Sequence, residues 1–153
     1  MVSAARRSAG ENIVAVVDSS AESQAALRWA LDEAARRGCR VVALSVVDPS
    51  LRSEWPLVRD HGSELREEQE HLADRVSRAM TGCGGTTVVH IPMVSLRVRQ
   101  GRLRDEVARA ADGADVLVVG RPLLLEDMQG IRDLRKSCRV VLVDEQGEAL
   151  PLT

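Results

Sequence analysis

The chain has 153 residues, of which 44% are hydrophobic and 29% charged, and its formal net charge is −2. This composition is typical of one soluble globular domain, and the small negative charge argues against a general binder of nucleic acid or of anionic membranes. Aromatic residues make up 1% of the sequence, so the core has to be aliphatic. Apart from Trp29 and Trp55, the platforms on which single-stranded nucleic acid stacks are missing.

The first eleven residues are small, polar and unpatterned, and we expect residues 1–11 to form a disordered tail. They contain no apolar segment of the kind found in signal peptides. No apolar run reaches the roughly 20 residues that span a bilayer. We therefore expect a cytoplasmic protein with no membrane partner, in which Cys39, Cys83 and Cys138 stay reduced.

The first regular element is a strand. Residues 13–17 are continuously apolar and largely β-branched, as in strands that are buried on both faces of a parallel sheet. Residues 18–20 follow as a turn. Ser19, with Glu22 three residues later, is typical of a capping box that begins a helix.

The helix that follows is amphipathic and leads to a second strand. Leu27, Ala30, Leu31 and Ala34 share one face, and Gly38 is suited to end the helix because glycine tolerates a positive φ. Residues 40–47 are again apolar. Strand, helix and strand predict a right-handed βαβ unit, and such sheets bind ligands beyond the carboxyl ends of their strands.

The middle of the chain gives weaker signals. Residues 51–62 are irregular, and residues 63–81 predict a helix whose acidic residues form a solvated face. Residues 86–94 predict a third strand. Pro92 places this strand at an edge of the sheet, because proline lacks the N–H that a central strand donates.

The last third of the chain predicts a helix over residues 102–111 and strands over 116–119 and 139–143, with a weak signal between the two strands. No linker or internal repeat divides the chain, so residues 12–144 form one α/β domain. Residues 145–153 form a C-terminal tail or a short hairpin arm.

No constellation in the sequence carries a recognisable catalytic chemistry. Glu67 and His71 are four residues apart on a predicted helix, a spacing that suits a metal, but no third ligand converges on them. No serine lies in a Gly-x-Ser-x-Gly turn, and no general base has an oriented partner. We expect neither a catalytic residue nor a metal site, and hence no enzyme.

Several segments resemble the universal stress protein family. They are the first strand with its terminal aspartate at 13–18, the Ala-rich helix at 25–34, and the strands at 43–49, 114–120 and 138–143. The resemblance implies a doubly wound, Rossmann-like sheet of five parallel strands in the order 3-2-1-4-5, with helices on both faces.

The resemblance also implies a homodimer built around the fifth strand. An open apolar edge strand invites aggregation, which is a physical reason to expect it to be covered. The residues expected in this interface are Arg139, Val140, Val141, Leu142 and Val143.

Many members of this family bind ATP, and the resemblance transfers their site to this chain residue by residue. It implies that Asp18 contacts the adenosine, that the backbone of Val46 meets the adenine edge, and that Val119 and Gly120 line the floor. In the family a loop of the form G-x2-G-x9-G-(S/T) holds the triphosphate, because glycines let backbone N–H groups approach phosphate oxygens.

The corresponding loop of this chain departs from the family pattern. Gly120 is present, but Leu123 stands at the second glycine position, and Asp133 and Leu134 stand at the final pair. A carboxylate there repels phosphate, and no hydroxyl is offered. We therefore expect the triphosphate site to be lost.

Two hypotheses remain open. The first is a non-enzymatic regulatory or binding module that acts through dimerisation and protein partners and has no cofactor. The alternative is a stress sensor that binds an adenine nucleotide (AMP, cyclic AMP or ATP) through Asp18 and Gly120, with Arg121 contacting a single phosphate. Asp18 also fits a structural role, because an aspartate in such a turn accepts backbone N–H groups at a helix start.

Overall fold

The chain folds into one sheet with helices on both faces. The computed structural model describes residues 12–47, 61–82, 93–120 and 138–151. In chain order the elements are β1 (Asn12–Val16), α1 (Ala21–Arg37), β2 (Arg40–Val47), α2 (His61–Gly82), β3 (Val94–Gln100), α3 (Leu103–Asp112), β4 (Val116–Gly120), β5 (Arg139–Val143) and β6 (Ala149–Pro151). The strand order is β3-β2-β1-β4-β5-β6.

Strands β1 to β5 are parallel, and β6 is antiparallel to β5. The predicted parallel order 3-2-1-4-5 is therefore confirmed, with a sixth strand added at one end. The strand suggested near the end of the chain is β6. It folds back onto β5 of its own chain.

The central strands are buried on both faces. Ile13 and Ala15 of β1 pack in the cluster formed with α1 and α2, whereas Val14 and Val16 pack in the cluster formed with α3. Burial on both faces is the reason that β1 is continuously apolar in sequence rather than alternating. The predicted inner face of α1 is also buried, and its members are Leu27, Ala30, Leu31 and Ala34.

The third strand lies later in the chain than predicted. We expected residues 86–94, but β3 spans Val94–Gln100 and pairs in parallel with β2. The side chains of β3 alternate between half-buried and exposed, a weaker sequence signal than the β-branched run before it. β3 is an edge strand as predicted, although Pro92, from which we argued this, lies outside the described residues.

The cap of α1 also differs from the prediction by one residue. Ser20, not Ser19, is the N-cap residue, and its side chain accepts a hydrogen bond from the backbone N–H of Ser23. The helix ends at Gly38 as predicted. Gly38 has φ 71°, and its N–H donates to the carbonyl of Ala34 at 2.7 Å.

The left-handed conformation of Gly38 can be tested against a matched control. A Cβ has open space both at Gly38 and at Gly113, and only Gly38 has a positive φ. We expect Gly38→Ala to destabilise the fold by about 1 kcal/mol, because a non-glycine residue is strained in this region. Gly113→Ala should be neutral or stabilise by up to about 1 kcal/mol. Urea denaturation of both variants measures the difference, and equal effects would contradict the assignment.

Candidate functional site

The carboxyl ends of β1 and β4 lie side by side at the point where the chain order of the sheet reverses. Ala15 pairs with Val118, and the N–H of Val17 donates to the carbonyl of Leu44 on the other side at 2.7 Å. Asp18 follows directly. Ligands of doubly wound sheets bind outside this kind of switch point, so it is the candidate site.

One oxygen of the Asp18 carboxylate is engaged in the turn that starts α1. Its Oδ1 accepts hydrogen bonds from the backbone N–H of Ser20 at 2.7 Å and from the Ser20 hydroxyl at 2.5 Å. Such Asx-type hydrogen bonds fix the chain direction at a helix start. The predicted structural role of Asp18 is therefore present in the structure.

Ser23 joins the turn after β1 to the first turn of α1, and the sequence analysis missed it. Its side chain is buried at 2% exposure, and its Oγ accepts from the N–H of Asp18 at 2.7 Å. The hydroxyl also lies 3.4 Å from the carbonyl oxygens of Val16 and Asp18. A serine three residues after a cap serine was the available signal, but serine is common at helix starts.

Gly120 is a glycine because the first turn of α1 approaches it closely. A Cβ at this position would lie 2.8 Å from the backbone nitrogen of Ser23 and 2.9 Å from the carbonyl carbon of Glu22. Both atoms belong to the helix backbone, which cannot move aside as a flexible side chain does. The fold alone therefore accounts for this glycine.

Val46 and Val119 take different places at this edge. Peptide groups of a parallel strand face alternate sides, and the carbonyl of Leu44 faces β1. The N–H and C=O of Val46, two residues further along β2, therefore face the side on which β1 lies. They come after Val16, the last residue of β1 that pairs with β2. Val119 is fully buried in the core next to α3.

Part of the predicted site lies outside the described residues. Arg121, Leu123, Asp133 and Leu134 all belong to the segment 121–137, which follows β4. Among the described residues, Asp18 and Gly120 are brought together by the start of α1. Val46 lies on β2, on the other side of β1 from Gly120.

A polar network behind the site corrects the prediction for α2. The acidic residues of this helix were expected to be solvated, but Glu68 is largely buried. Its Oε1 accepts from the hydroxyl of Ser45 at 2.8 Å and from Nη1 of Arg75 at 3.0 Å. The side-chain amide of Gln24 donates to the carbonyl of Arg75 at 2.9 Å, which joins α1 to the network.

A cleft of about 620 Å³ lies between the start of α1 and α2, next to Asp18. Arg28, His71, Arg75 and Arg78 line it together with carboxylates. Most of these charges are paired: Arg78 contacts Asp74 at 2.8 Å, and Arg75 is engaged with Glu68. The cleft is therefore close to balanced in charge.

The two cysteines that the structure describes, Cys39 and Cys138, are buried or half-buried. Burial raises the pKa of the Cys138 thiol to about 11, and the carboxylates of Asp112 and Asp115 act in the same direction. Since the thiolate is the nucleophile, this thiol reacts slowly at neutral pH. Cys39 is buried, and Cys83 lies outside the described residues.

The described part of the chain offers neither a metal site nor a membrane span. It contains no group of three or more His, Cys, Asp or Glu side chains placed to hold a metal. No helix within it is both long enough and apolar enough to cross a membrane.

The residues expected in a dimer interface are largely inside the sheet. Val140, Val141, Leu142 and Val143 are buried within the single chain, whereas Arg139 is exposed. The outer edge of β5 is paired with β6. The chain thus covers the edge of β5 itself, and the dimer interface expected at residues 139–143 stays a prediction.

The close contact at Gly120 predicts the effect of adding one methyl group. We expect Gly120→Ala to destabilise the protein by about 1–3 kcal/mol in the absence of any ligand, because the Cβ overlaps the backbone of α1. Thermal or urea denaturation measures this, with Gly113→Ala as the control for a glycine that has room. A Gly120→Ala protein as stable as the parent would show that the glycine is not required by packing.

Comparison with known proteins identifies a family. A model of the universal stress protein family matches residues 10–123. A universal stress protein of Mycolicibacterium smegmatis is 31% identical over 111 residues, which are 71% of this chain and 37% of that protein. The chain thus spans little more than a third of the length of this curated relative.

Solved structures share the fold. A protein of the universal stress protein family from Burkholderia pseudomallei superimposes with a TM-score of 0.62 at 25% identity, over 87% of this chain and 95% of that chain. A universal stress protein in complex with cAMP gives a TM-score of 0.58 at 19% identity, over 88% and 97% of the two chains. With a family match over more than half of its length, the chain belongs to the universal stress protein family.

Proposed function

We propose that this chain is a non-enzymatic binding protein that does not hold ATP at the carboxyl edge of its sheet. The observation that carries this proposal is that the two family-site residues at the switch point are used by the fold. Asp18 Oδ1 accepts two hydrogen bonds from Ser20, and Gly120 accommodates the backbone of α1. Neither residue therefore needs a ligand to explain its presence.

The sequence of the following loop supports the same conclusion. Beyond Gly120, the positions at which glycines cradle the triphosphate hold Leu123, Asp133 and Leu134. A backbone that carries Cβ atoms approaches phosphate oxygens less closely, and a carboxylate near a polyanion is repulsive. The loop sequence thus lacks the glycines that would bring backbone N–H groups to a triphosphate.

Two nucleophilic side chains among the described residues, one on β2 and one just before β5, support a non-enzymatic role. Ser45 is 3% exposed, and its hydroxyl donates to Glu68 within a part-buried network. The thiol of Cys138 stays protonated at neutral pH because burial raises its pKa to about 11. A nucleophile has to be both accessible and activated, and neither group meets this requirement.

One observation favours an adenine-nucleotide sensor as the second candidate. The N–H and C=O of Val46 face the side of β2 that β1 has left, which is the hydrogen-bonding pair that an adenine edge requires. The solved relative in complex with cAMP supports only a common fold at 19% identity. It does, however, determine that cAMP belongs in the test.

The two candidates are separated by titration with ATP and magnesium, AMP and cAMP, followed by amide NMR and thermal melts. A ligand at 100 times its Kd stabilises a fold by about 2.7 kcal/mol. We expect millimolar ATP to leave the amide signals of Asp18, Ser20 and Gly120 unperturbed. Perturbation at these three residues, abolished by Asp18→Asn, would contradict the proposal.

The NMR readout is chosen because a melt alone does not locate a ligand. Asp18→Asn keeps the side-chain oxygen that accepts from Ser20 and removes only the charge, so the fold should persist. If AMP or cAMP perturbs the amide of Val46 and the Asn variant does not respond, the sensor is the correct function.

Partners of the chain, including a second copy, are also part of this proposal. The family relation supports a homodimer through the end of the sheet that carries β5 and β6. The N–H of Asp144 donates to the carbonyl of Glu148 at 3.0 Å, so the peptide groups of residue 148 face β5. Successive residues of a strand face alternate sides, and the peptide groups of Ala149 and Pro151 therefore face away from β5. Proline offers no N–H there, which makes β6 a poor edge for a further strand.

Shielding of β5 by β6 gives a direct test. Removing residues 149–153 leaves the outer N–H and C=O groups of β5 unpaired, and we expect the shortened chain to self-associate more strongly than the parent. Sedimentation velocity at several concentrations measures this. A chain lacking only residues 152–153 keeps β6 and is the control. Identical sedimentation of all three chains would show that β6 does not protect this edge.

A further inference from the structure

A groove of about 380 Å³ lies on the face of the sheet opposite α1 and α2, between β3 and α3. It is separate from the switch point, because neither Asp18 nor Gly120 lines it. α3 crosses the sheet over β1 and β2 and does not cover β3. The face of β3 on this side of the sheet is therefore open, and the groove lies there.

One wall of the groove carries unpaired positive charge. Arg97 and Arg99 line the groove and are two residues apart on β3, so their side chains point to the same face of the sheet. Both are exposed. Neither forms a hydrogen bond or an ion pair within the part of the chain that the structure describes.

The opposite wall adds a third guanidinium, that of Arg109, which contacts a largely buried carboxylate. Glu106 of α3 is 9% exposed, and its Oε2 accepts from Nη1 of Arg109 at 3.0 Å. A Cβ at Gly101 would lie 2.8 Å from the same Oε2, so the glycine leaves space for the carboxylate. With three arginines and one carboxylate, the lining keeps an excess of positive charge.

The floor and the far end of the groove have different chemistry. Val14, Val42 and Leu44 contribute an apolar floor. At the far end, Oδ1 of Asn12 is buried and has no hydrogen-bond partner among the described residues. A buried amide oxygen without a donor is unfavourable, so a ligand that donates a hydrogen bond there would satisfy it.

We propose that this groove binds a small phosphomonoester whose body is flat and apolar. The phosphate lies between Arg97, Arg99 and Arg109, because guanidinium groups bind phosphate oxygens in pairs of charge-assisted hydrogen bonds. The body covers the apolar floor, and a donor at its other end reaches Asn12. This site is independent of the proposal for the carboxyl edge.

The experiment uses phenyl phosphate, inorganic phosphate and phenol as probes in isothermal titration calorimetry at physiological salt. We expect phenyl phosphate to bind more tightly than phosphate, and phenol not to bind. Arg97→Gln and Arg99→Gln should each lower the affinity for phenyl phosphate at least about tenfold, since each removes charge-assisted hydrogen bonds. Asp18→Asn should have no effect, which keeps the two sites distinguishable.

A matched control distinguishes binding in the groove from non-specific attraction of phosphate to positive charge. Arg66→Gln removes one exposed positive charge from α2, away from the groove, and should leave affinity unchanged. All these arginines are exposed, so the variants are expected to fold, and thermal melts verify this. No binding of phenyl phosphate, or equal weakening by Arg66→Gln and Arg97→Gln, would overturn the proposal.

The far end of the groove is tested with 4-aminophenyl phosphate. Because its amino group can donate to Asn12, this probe should bind several-fold more tightly than phenyl phosphate to the parent chain, and Asn12→Ala should remove the advantage. Equal affinities in the parent chain would overturn the assignment of Asn12. If a polyglutamate peptide binds and phenyl phosphate does not, the groove is not a phosphomonoester site. It is then a surface for an acidic protein.

Discussion

The approach of the first turn of α1 to the end of β4 is the constraint on which the site depends. The helix backbone lies where a side chain at Gly120 would otherwise project, and Ser23 in the same turn binds the N–H of Asp18. The chain direction after β1, the start of α1 and the end of β4 are thus fixed together. A Cβ at Gly120 would therefore disturb the start of α1 as well as the end of β4.

This coupling changes how the family resemblance should be interpreted. Asp18 and Gly120 are the residues that a nucleotide site would retain, but both have a structural role even when no nucleotide is bound. Their presence is therefore weak evidence for ligand binding. The following loop is more informative, because the positions at which the resemblance implies glycine hold Leu123 and Asp133 in this chain.

Elements with a local or periodic signal were predicted well from the sequence. The buried strands and the inner face of α1 follow from apolar patterns, and the end of α1 follows from Gly38. β3 was placed too early because its alternating arginines obscure a half-exposed strand. The burial of Glu68 was not predictable, since its partner Ser45 lies 23 residues away, and only the fold brings the two together.

The two edge strands of the sheet, β6 and β3, are protected in different ways because the chain crosses the sheet differently near each. At one end β6 covers β5, and the proline at position 151 offers no N–H to a further strand. At the other end α3 crosses β1 and β2 on its way to β4, which leaves one face of β3 open to solvent. Arg97 and Arg99 keep this edge soluble whether or not a ligand binds. Their replacement should therefore have two separable effects, on aggregation and on phosphate affinity, and only the second depends on the opposing Arg109.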